Sequence, residues 1–251
     1  MKDSLGDRIK QNYEVRTRTY LTRRTHTLLR LDGKAFHTYT KGSKKPFDDG
    51  LMEDMDKAAE YLCKNIMGAK MAYVQSDEIT VLFTDFDELS TQMWFDGEVQ
   101  KITSVAASMV TRAFNEARLK RLGADGMKWA EFDCRVFQVP EREEVVNVFL
   151  WRQQDAVRNS VSMVTQNLYS PSQLHKKNMG AMQEMIFQKG VNWNNYEPRY
   201  KRGRVVVRES FEKNGVTRSK WVTADCPSFS KERDFILSRI PFPNTEEKVN
   251  A

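Results

Sequence analysis

Residues 71–83, Met-Ala-Tyr-Val-Gln-Ser-Asp-Glu-Ile-Thr-Val-Leu-Phe, set two β-prone apolar runs on either side of four polar residues. A connection that short makes a hairpin with a tight turn. The chain around it changes period in a definite order. Thr27–Leu31 is a short β-prone run that stops at Asp32-Gly33, a turn pair. Leu51, Met55, Ala58, Ala59, Leu62 and Ile66 then recur at helical spacing, and Gly68 is a natural stop. After the hairpin, Met93, Val99, Ile102, Val105, Ala106, Met109 and Phe114 mark a second helix over about 98–119, and Phe132–Val139 reads as a fourth strand closed by Pro140. Strand, helix, strand, strand, helix, strand is the split βαβ, ferredoxin-like arrangement, so the expected class is α+β.

Before and after this block the signals are plainer. Residues 3–18 are polar and helical in pattern, with Asp3 or Ser4 as the N-cap. Beyond 140, Glu141–Leu150 and Trp151–Tyr169 form one or two helices, and Ser172–Lys189 forms another, stopped at Gly190. Met163, Met179, Met182 and Met185 read as core filler. Asn214-Gly215 marks a second hairpin between Val205-Val206-Val207 and Trp221-Val222. The expectation is a single unit, with a core of about 20–140, a helical and β-hairpin lobe of about 141–230, and a loosely ordered tail of about 231–251.

The chemistry points to carboxylates at turns. A lone Asp-Gly is a surface turn more often than a site, and an acidic hairpin turn such as Gln75-Ser76-Asp77-Glu78 can be merely solvated. Together they put Asp32 and Asp77 at the ends of two strands joined through a helix. Hard cations such as Mg²⁺ take carboxylate oxygens plus substrate phosphates, and in-line phosphoryl or nucleotidyl transfer uses two such ions about 3.5–4 Å apart. Asp85, Asp87 and Glu88 read as ordinary loop charges.

Four motifs in order sharpen this: Arg-Leu-Asp-Gly-x-x-Phe-His (30–37), Lys45-Pro46, Gln-Ser-Asp-Glu (75–78) and Trp-Arg-Gln-Gln-Asp (151–155). From about Thr25 to Gly203 the chain resembles the tRNA-histidine guanylyltransferase family, enzymes that add nucleotides to RNA 5′ ends in the 3′-to-5′ direction. The resemblance implies a polymerase palm in which Asp32, the Gly33 carbonyl and Asp77 hold two Mg²⁺ ions. It implies catalytic roles for Lys45, Ser76 and Glu78, and nucleotide contacts from Gly33, Lys34, Ala35, Phe36 and His37, whose backbone N–H groups can cradle phosphate, and from Lys101. It also implies ATP, GTP and other nucleoside triphosphates as substrates, tRNA as partner, and a homotetramer. Arg23, Arg24, Arg152, Asn159, Arg199, Lys201 and Arg202 are the expected RNA contacts. The implied reaction has two transfers. A 5′-monophosphate attacks the α-phosphate of ATP and releases pyrophosphate; the 3′-hydroxyl of an incoming nucleotide then attacks the activated 5′ end and releases AMP.

One stretch departs from the pattern. Enzymes specific for histidine tRNA continue with His-Ile-Asn-Asn-Leu-Tyr-Asn-Thr, whereas residues 157–164 are Val-Arg-Asn-Ser-Val-Ser-Met-Val, of which only Asn159 matches. The departure favours the branch that repairs 5′-truncated tRNAs by template-dependent addition, with histidine-tRNA guanylylation as the alternative. A nucleotidyl cyclase would share the palm but carry Gly-Gly-Asp/Glu-Glu-Phe at the hairpin, and a non-catalytic RNA-binding module would not need both aspartates. The net charge of +6 and pI near 9.1 suit a polyanionic partner. The three dispersed cysteines, Cys63, Cys134 and Cys226, the absence of a signal-peptide pattern and the absence of an apolar run of about 20 residues predict a cytoplasmic protein without a membrane span.

Overall fold

The computed structural model describes residues 4–242. The chain opens with α1 (Ser4–Ile9), which continues through a π-helical turn and a 3₁₀ turn to Thr17; Asp3, a proposed N-cap, lies outside the described residues. The central block follows the expected order: β1 (His26–Gly33), the short α2 (Phe36–Tyr39), α3 (Asp49–Asn65), β2 (Ala69–Gln75), β3 (Glu78–Phe83), α4 (Val99–Leu122) and β4 (Phe132–Val139). Asp48 caps α3 by accepting from the Leu51 N–H. Next come α5 (Arg142–Leu168), α6 (Pro171–Leu174), α7 (Met179–Gln188), α8 (Pro198–Arg202), β5 (Arg204–Lys213), β6 (Val216–Asp225) and α9 (Asp234–Leu237).

The six strands of the described residues form one antiparallel sheet in the order β4-β1-β3-β2-β5-β6. The first four strands, in the order 4-1-3-2, make the ferredoxin-like core. The hairpin expected in the C-terminal lobe adds β5 and β6 to the edge of that same sheet, through pairs such as Ala72↔Val206. Both faces are covered. Leu29, Leu31, Val74, Val81 and Phe83 pack against α3 and α4, while Leu28, Tyr73, Leu82, Val205 and Val207 pack against α5 and the C-terminal segment. A strand buried on both faces reads as a continuous apolar run, and β3 is buried at every position.

Residues 142–168 make one unbroken helix, one of the two arrangements expected. Three expectations change. The stretch expected as a single helix over 172–189 is two, separated at Lys176, which has φ 59°, and recapped at Asn178. Of the four methionines taken as filler, Met179 is exposed and Met163, Met182 and Met185 are half-buried, because their helices lie at the surface of the α5 layer. The segment after 230, expected to be loose, docks as far as it is described. Ile236 and Ile240 are buried in the second core, and Arg142 donates to the carbonyls of Leu237 and Ile240. Its proline and charge content hid two well-spaced isoleucines; residues 243–251 lie outside the described residues.

Truncating Ile236, fully buried, to Ala should therefore lower stability by about 2–4 kcal/mol, the range for emptying an aliphatic core site. Urea unfolding at fixed pH measures it, and an unchanged midpoint would mean that α9 does not belong to the core.

Candidate active site

Strand register builds the site. Asp32 faces Glu78 on one side and Asp133 on the other, so one rung carries three carboxylates across β3, β1 and β4. Like charges directly opposite one another destabilise a sheet, and the structure relieves two of the three. Glu78, 6% exposed, receives both Nε and a terminal nitrogen of Arg152 at 2.7 and 2.6 Å. Asp133 has Arg135 at 3.7 Å. Asp32 forms no ion pair among the described residues, and burial, then Asp133, push its carboxyl pKa up against the opposing effect of Arg135, Arg30 and Arg152.

Asp77 joins this end of the sheet through the hairpin turn. Its carbonyl accepts from the Gly33 N–H at 3.2 Å, which ties the turn to the end of β1. Ser76 holds a left-handed φ of 48°, a strained conformation for a non-glycine residue. Burial is the main force lifting the Asp77 carboxyl to about 6, with Asp32 and Glu78 adding to it and the Ser76 hydroxyl opposing. Gly33 is required on the other side: a Cβ there would lie 2.1 Å from the Phe36 ring. With Phe36 folded back, Ala35 turns left-handed at φ 53°, and the N–H groups of Ala35, Phe36 and His37 donate to no protein acceptor among the described residues.

The turn opens into a cleft of about 500 Å³. One wall is the 36–52 segment with His37, Lys44 and Lys45; another is the face of α5 with Asn159, Ser160, Ser162, Met163 and Gln166; Arg199, Tyr200, Gly203 and Arg204 close it. Lys45 is exposed and pairs with no carboxylate among the described residues, whereas Lys44 reaches Asp49 at 3.6 Å. A cleft that presents unpaired cations, free amides and an ionisable carboxylate suits a phosphorylated ligand. The donor set also fits Mg²⁺: two adjacent unpaired carboxylates whose pKa values are raised, rather than a closed cage of three or more side chains, leave positions for substrate oxygens.

Several sequence expectations need correction. Glu78 is an anchor rather than a catalytic group, because Arg152 takes both its oxygens. Arg152 is no exposed RNA contact: it is 8% exposed and also donates to Asp155. Lys101 lies away from the acidic rung. Helix α4 reaches that end at Thr111, which accepts from Phe132 N–H, and Lys101 is ten residues earlier, about 15 Å along the helix, with Nζ 5.2 Å from the Phe95 ring centroid. The amides of Gly33 and Lys34 are bonded to Asp77 and Glu131 carbonyls, so the backbone donors free among the described residues begin at Ala35. Arg23 and Arg24 sit beyond the start of β1, a strand of about 23 Å, held to Asp85. Asp85 is 1% exposed and so is no ordinary loop charge. Lys201 donates to the Asn194 carbonyl and Arg202 to that of Cys226, while Arg199 faces the cleft. Sequence reasoning missed Asp133, which needs the register, and Ser160. Arg204, a basic candidate in sequence beside Arg202, is buried and pairs with Asp56 at 2.6 Å.

The family model for tRNAHis guanylyltransferase (Thg1) matches residues 6–140. Among solved structures the chain is similar to a bacterial tRNAHis guanylyltransferase (Thg1)-like protein in complex with ATP, with 42% identity, a TM-score of 0.88, and coverage of 96% of this chain and 100% of that one. The GTP complex of such a bacterial protein gives 42% identity and a TM-score of 0.80, covering 94% and 99%. The probable tRNA(His) guanylyltransferase of Dictyostelium discoideum is 27% identical over 211 residues, 77% of this chain and 80% of that protein.

Two predictions follow from the charges. Folding raises the Asp77 pKa, so its ionised form opposes folding: the stability present below about pH 4 falls as pH rises through about 6. In EDTA, Asp77→Asn should be more stable than the parent by on the order of 2 kcal/mol at pH 7.5, the gain vanishing as pH approaches 4. Thermal melts across pH measure it, and equal stability at pH 7.5 would contradict the assignment. Conversely, Arg152→Met should cost about 3 kcal/mol by leaving Glu78 buried without a partner. Adding Glu78→Met should recover much of that loss; no recovery in a urea double-mutant cycle would show that the pair is not the anchor.

Proposed function

This chain belongs to the tRNAHis guanylyltransferase family and is a nucleotidyltransferase, and from that premise we propose that it extends the 5′ end of tRNA in the 3′-to-5′ direction under instruction from the opposite strand. The observation that carries the reading is where the departing stretch lies. Ser160, Ser162 and Met163 line the cleft beside Ser76 and Asp77, next to the matching Asn159, so the chain differs from histidine-tRNA enzymes on a wall of that cleft. These side chains are short or flexible. They offer room and hydrogen bonds without a rigid reader, which leaves base pairing as the selector.

In this reading Asp32 and Asp77, with the Gly33 carbonyl, hold Mg²⁺, whose chemistry when bound is to neutralise triphosphate oxygens and the pyrophosphate leaving group. The ATP and GTP in the bacterial relatives' complexes support nucleoside triphosphates as substrates here. Lys45 approaches phosphate as a mobile point charge, and the amides of Ala35, Phe36 and His37 donate to it. Ser76, on its strained turn, presents a hydroxyl next to Asp77. Arg199 and Asn159 face the same cleft and meet the RNA end. The chain's own work is positioning: a 5′-phosphate oxygen set against the α-phosphorus of ATP, then a 3′-hydroxyl set against the activated 5′ phosphorus. Displacing a reacting atom by about 1 Å can cost on the order of 100-fold in rate, so a paired nucleotide reacts and a mismatched one does not. No described helix is long and apolar enough to cross a membrane.

The test is nucleotide addition to 5′-truncated tRNAs of different anticodons, with the base opposite the growing end varied. The expected outcome is at least a tenfold preference for the paired nucleotide on every tRNA, abolished in both steps by Asp32→Ala or Asp77→Ala. Addition of G to histidine tRNA alone, whatever lies opposite, would establish the histidine-tRNA reading instead.

A further inference from the structure

Three carboxamides are buried among the described residues: Gln75, Asn115 and Gln153. Two are matched at both ends. Asn115 donates to the Ala130 carbonyl and accepts from the Ala130 N–H, each at 2.9 Å. Gln153 donates to the Pro227 carbonyl at 2.7 Å and accepts from the Phe229 N–H at 2.9 Å. Gln75 is the exception. It is 4% exposed, its Oε1 is buried with no hydrogen-bond partner, and it lines the cleft two residues before Asp77. Leaving a buried polar group unmatched is costly, and an apolar side chain at the end of β2 would avoid the cost. Glu78, the partner of Gln75 across the hairpin, is itself an acceptor held by Arg152 and so supplies no donor to Oε1.

We propose that Gln75 is a specificity-determining residue that binds a ribose hydroxyl of the nucleoside triphosphate and selects ribonucleotides over deoxyribonucleotides. The inference rests on the reading that a triphosphate binds beside Asp77, and deepens it. With phosphates at Asp77, the ribose comes next along the nucleotide, and its hydroxyls are the first neutral polar groups that reach the cleft wall. A hydroxyl donates and accepts at once, so it satisfies a carboxamide in either of its two orientations, which an amino group of a base cannot do. A site built to bond a hydroxyl discriminates strongly against the analogue lacking it, because its own polar group is then stranded.

The experiment is adenylylation of a 5′-monophosphorylated tRNA with ATP, 2′-deoxyATP and 3′-deoxyATP, comparing kcat/KM for the wild type, Gln75→Met and Gln75→Glu. Thermal melts report on folding. The wild type should disfavour at least one deoxy analogue by about 10- to 100-fold, and the analogue affected identifies the hydroxyl. Gln75→Met, of similar length and apolar, should lose activity with ATP but not with that analogue, bringing the ratio to about 1. Gln75→Glu keeps the acceptor, so the ratio should survive even where its charge slows all three nucleotides alike. A wild-type ratio near 1 for both analogues, or a ratio unchanged in Gln75→Met while Asp77→Ala is inactive, overturns the Gln75 assignment and leaves the site reading standing. Asp77→Ala transferring at the wild-type rate overturns both.

Discussion

The buried pair of Glu78 and Arg152 holds the cleft end of the sheet together. Glu78 starts β3, the fully buried strand, and Arg152 sits mid-way along α5. Their two-point contact fixes how that long helix lies over the sheet, and hence where Ala156 to Gln166 face the Ser76–Asp77 turn. Planar guanidinium against planar carboxylate restricts both distance and angle. A pair of this kind adds little net stability over an apolar substitute, because both charges must be desolvated. Its consequence is orientation, and the cleft follows from that orientation.

The same pair decides which carboxylates keep their charge uncompensated. Glu78, Asp32 and Asp133 occupy one rung, with Asp77 in the adjoining turn. Arg152 takes Glu78 and Arg135 approaches Asp133, while Asp32 and Asp77 have no ion pair among the described residues. Their raised pKa values are two consequences of one arrangement: carboxylates drawn out of water next to one another prefer a proton or a cation. The site thus sacrifices stability where it needs binding. The buried, unmatched Gln75 at the same turn has the same character.

The sheet's second layer explains how such a site is tolerated. Aliphatic residues on both faces, from α3 and α4 on one side and α5 and the docked C-terminal segment on the other, secure the strands along most of their length. The carboxylates of the acidic rung and turn gather at one end, where the strands stop and the turns begin, outside the apolar layers. Buried pairs such as Asp54 with Arg118 and Arg121, and Asp56 with Arg204, stitch helices and strands near that end.

By itself the sequence determined the local elements. Periodicity gave the four core strands and two helices within a few residues, since a run such as Ile79–Phe83 admits little else, and Asp32-Gly33 and Gln75–Glu78 were legible as turns bearing carboxylates. Only tertiary structure decided which charges were free. Glu78 and Asp77 are adjacent and chemically alike in the chain, yet the first begins a strand and meets an arginine from 74 residues away, while the second stays in the turn without an ion pair among the described residues. Lys101 and Lys45 are equally basic in the sequence, and the helix axis carries one away while the loop brings the other to the cleft. Asp133 entered the site only through strand register, and Ile236 and Ile240 entered the core only by docking. Local patterns fix backbone shape because they act between neighbours; partnership between charges is set by contacts across the fold, which no short window of sequence contains.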